Sequence, residues 1–172
     1  PEVMVAEVGS GDVCRLTHWG AQSTSVLGWT ADGRIIVASN AGEANIRHTV
    51  VKLVSLDGSW DRPEIGMASG IALSSAGAIA LATPWSRPPA HWKRYRGGTA
   101  PRLWLDRAGG GAWEQLLAEE SASLTDPLWV GDALVFTSDR AARFPDRADE
   151  QANLWIWDTP GEGEPRLLTH QT

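Results

Sequence analysis

Three stretches of the sequence, DGRIIVAS, AGAIALAT and GDALVFTS, share one order: a turn, an apolar run, and a small hydroxyl residue at the end. Their last residues are Ser39, Thr83 and Ser138, at steps of 44 and 55 positions. A second series lies downstream of each, VVKLVSLDG, PRLWLDRAG and NLWIWDTPG, with aspartates Asp57, Asp106 and Asp158 at steps of 49 and 52. CRLTH, QLLAE and PRLLTH form a third series. Coincident repeats at this period mark architectures in which one supersecondary unit cannot bury its apolar face alone and stacks on its neighbours.

The unit is made of strands. Short runs rich in Val, Ile, Leu and Trp are bounded by Asp-Gly, Gly-Gly or Pro. The best helical candidate, 113–120, reads equally as a strand entering a turn, because its apolar residues do not sustain a 3.6-residue spacing. Each unit therefore reads as four antiparallel strands, the blade of a β-propeller. The first complete unit has strands near 25–29, at 34–39, at 49–56 and just after the turn Asp57-Gly58-Ser59. The second has them near 69–73, 78–83, 101–106 and 113–117, and the third near 127–130, 133–138, 153–158 and 165–169. Ahead of these, 3–8 and 12–17 supply only the last two strands of another unit.

The expectation is an all-β chain, a propeller segment of about three and a half four-stranded blades. It is one partial domain over 1–172, with a half blade at 1–18 and blades at 19–64, 65–120 and 121–172. So few blades leave apolar faces uncovered, which points to a segment of a longer propeller or to association with a second copy.

Fifteen Lys and Arg stand against twenty-one Asp and Glu, a net charge of −6 that disfavours nucleic acid and anionic membranes as partners. Cys14 is the only cysteine, which excludes an internal disulfide and a multi-cysteine zinc site and fits a reducing, cytoplasmic setting. The opening PEVMVAEVGSGD has no signal-peptide pattern, and no stretch approaches the roughly 18 apolar residues of a membrane span.

Against this acidic background one segment is basic. From Trp85 to Arg102 there are five cations, Arg87, Lys93, Arg94, Arg96 and Arg102, and no acid. They lie on the connection between the second and third strands of the second complete blade, which is long for an antiparallel hairpin. Guanidinium forks and an ammonium suit a carboxylate or phosphate, Trp92 and Tyr95 can stack on a cation or peptide group, and Gly97 and Gly98 let backbone amides approach an anion. Two readings stand side by side: a latch pairing with neighbouring carboxylates, and a contact for a ligand or partner.

Other motifs have structural readings. No G-x-S-x-G elbow is present. His18 and His170 each follow the same Leu-Thr, so repetition and packing explain both, and His48 and His91 read as loop histidines. Asp139, Asp146, Asp149 and Glu150 are interleaved with Arg140, Arg143 and Arg147, a salt-bridged loop rather than a calcium site. Gly109 to Gly111 precede no helix, so they do not form a phosphate cradle, and the turn 107–111 reads as a flexible hairpin. Trp29, Trp104, Trp129, Trp155 and Trp157 fall in strands, where packing between blades is their expected use. No metal, cofactor or catalytic residue is expected in this chain.

HWKRYRGGT followed by LWLD, with RLTHWG and GWTADGR upstream and PLWVGDALVFTSD downstream, resembles the N-terminal propeller of tricorn proteases, large self-compartmentalising serine peptidases. The resemblance runs in order through roughly 15–170. It implies part of a six-bladed ring, followed in the family by a seven-bladed propeller, a PDZ domain and peptidase domains within a homohexamer. It also implies a passage for oligopeptides, with catalysis outside this chain. Lys93, Arg94, Arg96, Trp92 and Tyr95 are then the candidate substrate contacts. The stretch 21–27 lacks the basic pair that some members carry to hold a peptide carboxylate, so that role is not transferred to Ser23, Thr24 or Ser25. A TolB-like propeller scaffold that docks a protein partner is the alternative.

Overall fold

The computed structural model describes residues 1–84, 95–140 and 152–169, and among these every regular element is a strand. The chain divides into two compact units, Pro1–Ala68 and Ser69–Thr172. In the first, β1 (Met4–Ala6) pairs antiparallel with β2 (Val13–Arg15), and β3 (Thr24–Trp29), β4 (Ile35–Ser39), β5 (Val50–Val54) and β6 (Trp60–Asp61) form a four-stranded meander. The second holds two such meanders. One runs through β7 (Gly70–Leu73), β8 (Ile79–Ala82), β9 (Leu103–Asp106) and β10 (Trp113–Leu116). The other runs through β11 (Leu124–Val130), β12 (Ala133–Ser138), β13 (Asn153–Trp157) and β14 (Arg166–Leu167). The ambiguous segment is thus the strand β10, paired Trp113 to Asp106 through Leu116 to Leu103.

The core follows from the register. In the first unit Ile35, Val37 and Val54 pack with Val3 and Leu16. In the second, Ala80, Ala82, Leu103, Leu105 and Leu116 of one sheet meet Leu124, Leu134, Phe136, Trp155 and Trp157 of the other. Trp155 and Trp157 are buried as expected, and Trp129 packs against this core while its Nε1–H donates to the Ala72 carbonyl at 3.2 Å. Trp29 departs from the expectation: at the end of the edge strand β3 it is 54% exposed. Leu128, Val130, Leu154 and Leu168, on the face of the last sheet turned away from this core, are exposed, as are Met4 and Val13 on the β1–β2 pair.

Each repeated hydroxyl has a backbone hydrogen bond to make. Ser39 Oγ accepts from the Ala41 N–H, Ser138 Oγ from the Arg140 N–H, and Thr83 Oγ1 from the Arg102 N–H, at 3.1, 3.0 and 2.9 Å. The hydroxyl at the end of the second strand satisfies a donor that the ladder no longer can. Two of the three aspartates close the next hairpin, while the exposed Asp158 lies 3.5 Å from Arg166. Asp57 accepts from the Ser59 hydroxyl and N–H, bonds that hold its carboxyl below the usual range, and Asp106 accepts from the N–H groups of Ala108 and Gly111. The turn 107–111, read as a flexible hairpin, is in fact cross-tied: Asp106 is buried beneath it, and Arg107 binds Glu114 and the Pro160 carbonyl.

The third series is equally specific. Thr17 Oγ1 accepts from the Val3 N–H and Thr169 Oγ1 from the Leu154 N–H, at 2.9 and 3.0 Å. Thr17 then donates to Glu2, where Thr169 donates to Asn153. The group these two segments share is the threonine, where QLLAE has Ala118; His18, which repetition assigned to packing, is exposed, and His170 lies outside the described residues. Glu2 also accepts from the N–H groups of Gly20 and Trp19 and pairs with Arg15 at 3.1 Å.

The same alignment sets Lys52 of β5 where the other sheets have Trp104 and Trp155, since it pairs with Val37 as they pair with Leu81 and Phe136. Lys52 is 2% exposed, and its Nζ lies 4.1 Å from the Trp60 ring centre and 5.5 Å from that of Trp19. Burial pushes its pKa down, while Glu43 opposes the shift. The two indoles meet edge to face at 5.6 Å and supply, through their faces, part of the stabilisation that water would give the ammonium.

Gly58 combines two demands. Its φ is +85°, and a Cβ there would lie 2.7 Å from the Leu16 carbonyl oxygen. Gly58→Ala should cost about 2–4 kcal/mol, read as a lower urea midpoint, whereas Gly33→Ala, with positive φ but open space, should cost about 1 kcal/mol.

Acid should loosen the first unit. The Thr17 hydroxyl and the Gly20 and Trp19 amides lower the Glu2 pKa from 4.5 to about 2. A depressed carboxyl pKa contributes stability that is complete above 4.5 and disappears as pH falls toward 2. Thermal melts across that window should lose less stability in Glu2→Gln than in the unaltered chain; parallel curves would show that Glu2 does not carry the effect.

Candidate functional site

The long connection between β8 and β9 is closed at its base before any loop chemistry begins. The Thr83 N–H donates to the Arg102 carbonyl at 2.9 Å, and the Arg102 N–H returns a bond to Thr83 Oγ1. The Arg102 side chain turns back to the Ala122 carbonyl at 2.8 Å, so this member of the basic segment serves the fold. Leu124, at the start of β11, donates its N–H to the Pro101 carbonyl, which ties the end of the loop to the next sheet of the same unit.

Arg96 carries the best-defined contact of the candidate set. Its Nη1 lies 2.8 Å from Asp139 Oδ2 and its Nη2 donates to the Asp139 carbonyl at 3.1 Å, so one guanidinium grips both the side chain and the backbone of the residue that follows β12. Asp139 is 5% exposed, and its other oxygen accepts from the Ser123 N–H at 2.8 Å. Such a planar fork is suited to arginine and not to lysine. The Arg96 charge is therefore balanced by a buried carboxylate at the loop's C-terminal end.

Tyr95 is half-buried, and its hydroxyl accepts from Thr99 Oγ1 at 2.9 Å. Its ring folds over Gly97 so closely that a Cβ there would collide with it. That is a packing reason for this glycine, different from the anion approach expected of the pair. Trp92, Lys93 and Arg94 lie outside the described residues, as do His91, Arg87, Asp146, Asp149, Glu150, Arg143 and Arg147. Asp139 and Arg140, the described members of the acidic and basic cluster, are both engaged: Asp139 as above, Arg140 with Glu120 at 3.1 Å and Glu164 at 3.4 Å. No group of three or more His, Cys, Asp or Glu among the described residues is arranged to hold a metal.

Sequence reasoning placed Asp139 in a surface salt-bridge loop and missed that it is the partner of Arg96, forty-three positions away. The available signal was the repeat itself: Ser138-Asp139 stands where Ser39-Asn40 does, and Asn40 Oδ1 accepts from the Ser23 N–H as Asp139 Oδ1 does from Ser123. The second unit replaces an amide with a carboxylate at that position, and the carboxylate binds Arg96.

A family description, the tricorn protease N-terminal beta propeller domain, matches residues 1–172. The chain is 41% identical over 146 residues to tricorn protease homolog 1 of Streptomyces coelicolor, a match covering 81% of this chain and 13% of that protein. Among solved structures it superposes on the tricorn protease with a TM-score of 0.82 and 25% identity, covering 99% of this chain and 16% of the other. TolB from Acinetobacter baumannii aligns with a TM-score of 0.66 at 14% identity, covering 98% of this chain and 37% of that one, a likeness of fold. The match thus spans about an eighth of the length of the two Streptomyces coelicolor relatives.

Removing one side of the Arg96–Asp139 pair leaves a largely buried charge without its counter-ion. Arg96→Ala should lower stability by about 2 kcal/mol, a value between those of exposed and fully buried pairs. Arg96→Lys, which lacks the fork, should recover less than half of that loss, measured by urea unfolding.

Proposed function

This chain belongs to the tricorn protease family, as part of its N-terminal β-propeller, and on that premise we propose that it shapes a passage for oligopeptides and supports assembly without itself being catalytic. The observation that carries the reading is the basic connection between β8 and β9, anchored by Arg96 and Arg102 within an otherwise acidic chain. Lys93 and Arg94, with Trp92 and Tyr95, present positive charge and aromatic surface to a peptide's C-terminal carboxylate. Arg96 contributes by holding the end of the loop, and its own charge is largely spent on Asp139.

The remaining propeller blades, a PDZ domain and the peptidase domains of a longer chain complete the proposed assembly, a homohexamer in which catalysis belongs to the peptidase domains. The exposed apolar residues Leu128, Val130, Leu154 and Leu168 support the presence of a further blade, since such a face is ordinarily covered by the next sheet. A docking scaffold of TolB type rests on fold likeness alone and has no residue here to favour it.

Electrostatic guidance of this kind acts over about 8 Å at physiological salt. In the full-length protein, Lys93→Ala combined with Arg94→Ala should slow turnover of short peptides several-fold at low salt and much less at high salt. Equal rates at every salt concentration would refute guidance, and the Arg96→Ala change should instead act through stability.

A further inference from the structure

Lys52 is the one lysine or arginine among the described residues that is buried. The buried carboxylates have donors to meet them, the turn amides for Asp106 and the Arg96 guanidinium for Asp139. Lys52 has no carboxylate. Glu43, whose field favours the charged form, is paired with Arg62 at 2.8 Å, and the Lys52 ammonium makes no ion pair or hydrogen bond among the described residues. Its compensation is aromatic, from Trp60 at 4.1 Å and Trp19 at 5.5 Å. A buried charge of this kind is a poor source of stability, because the rings return only part of the hydration it has lost.

The face it occupies is the one that meets the β1–β2 pair. Lys52 stands opposite Val37, and Val37 packs with Val3, just before β1, and Leu16, just after β2. Trp19 packs on the same cluster, whereas Trp60 belongs to β6 of the Lys52 sheet itself. One indole is therefore native to the sheet, and the other is delivered by the segment that docks on it. In the other two complete sheets the same register position is Trp104 or Trp155, and Trp155 packs among Leu, Ala and Phe side chains. Three sheets of one pattern in one chain invite exchange, since repeat proteins characteristically misassemble by docking the wrong copy of a unit. An aliphatic face is at hand in Leu128, Val130, Leu154 and Leu168 of the last sheet. Docked over Lys52 of a second copy, that face would offer the ammonium neither ring nor acceptor.

We infer that Lys52 selects the neighbour of its sheet: the ammonium admits the β1–β2 pair, which brings Trp19, and rejects an aliphatic face of this chain's own repeat. The lysine contributes specificity at a cost in stability, as a buried polar residue does when it fixes the register of a coiled coil. Its removal makes the sheet face more permissive without weakening the native packing. The inference does not depend on the peptide passage; it concerns only which surfaces of the fold unite.

Lys52→Met removes the charge and keeps the side-chain length, and Trp19→Leu removes the delivered ring; both are made, singly and together, in the full-length protein. Hydrogen exchange at the β5 amides reports native packing, and light scattering after refolding from urea reports the assemblies recovered. Lys52→Met should keep or raise β5 protection, yet lower the fraction recovered at native size several-fold in favour of larger species. Trp19→Leu should reduce β5 protection about tenfold while Lys52 is present, the scale of one desolvated cation–π contact, and much less beside Lys52→Met. A packing role alone would not move refolding fidelity. An unchanged native fraction in Lys52→Met, a loss of β5 protection in that variant, or an equal Trp19→Leu effect in both backgrounds would overturn the inference.

Discussion

A strand with water on neither side has to be apolar along its whole length, and the inner strands of these sheets are. β4 is buried at all five positions, and β8 and β12 nearly so, while the outer strands beside them remain partly wet. That double burial explains why the inner strands read as continuous Val, Ile, Leu and Ala instead of an alternation. It also explains the exposed leucines on the last sheet, which have the composition of a covered face. Lys52 is the exception that tests the rule: a charge at a position where sister sheets use tryptophan is tolerated because Trp19 and Trp60 surround its Nζ.

Double burial creates a second constraint. Where an inner strand ends, its backbone donors leave the ladder, and a side chain can take the place of the lost partner. Ser39, Thr83 and Ser138 do this at one end and Asp57 and Asp106 at the other, while Thr17 and Thr169 perform the same service on the outermost strands. The repeat visible in the sequence is largely a repeat of these hydrogen bonds. Two departures from the pattern have chemistry attached: Asp139 in the place of Asn40 recruits Arg96, and Glu2 in the place of Asn153 binds the Trp19 and Gly20 amides and Arg15.

The candidate loop was legible as a charge anomaly, since five cations without an acid stand out in an acidic chain. The division of labour among them was not. Arg96 and Arg102 have the same composition signature as Lys93 and Arg94, yet the first two end on a buried carboxylate and a backbone carbonyl. The pairing of Arg140 with Glu120 and Glu164 gave no sequence signal either, because the three residues are separated by twenty positions or more and are brought together only when two sheets pack.

The all-β class, the blade repeat and the strand character of the inner runs were determined by the sequence itself, because apolar patterning and turn chemistry are local and recur at a readable period. The tertiary structure alone decided which partner each charge would find, that Trp29 would stay in water while Trp155 is buried, and that a glycine-rich turn would be held by Asp106 and Arg107. The reason is that charge pairing and burial depend on distances between residues far apart in the chain, and those distances exist only once the sheets have packed.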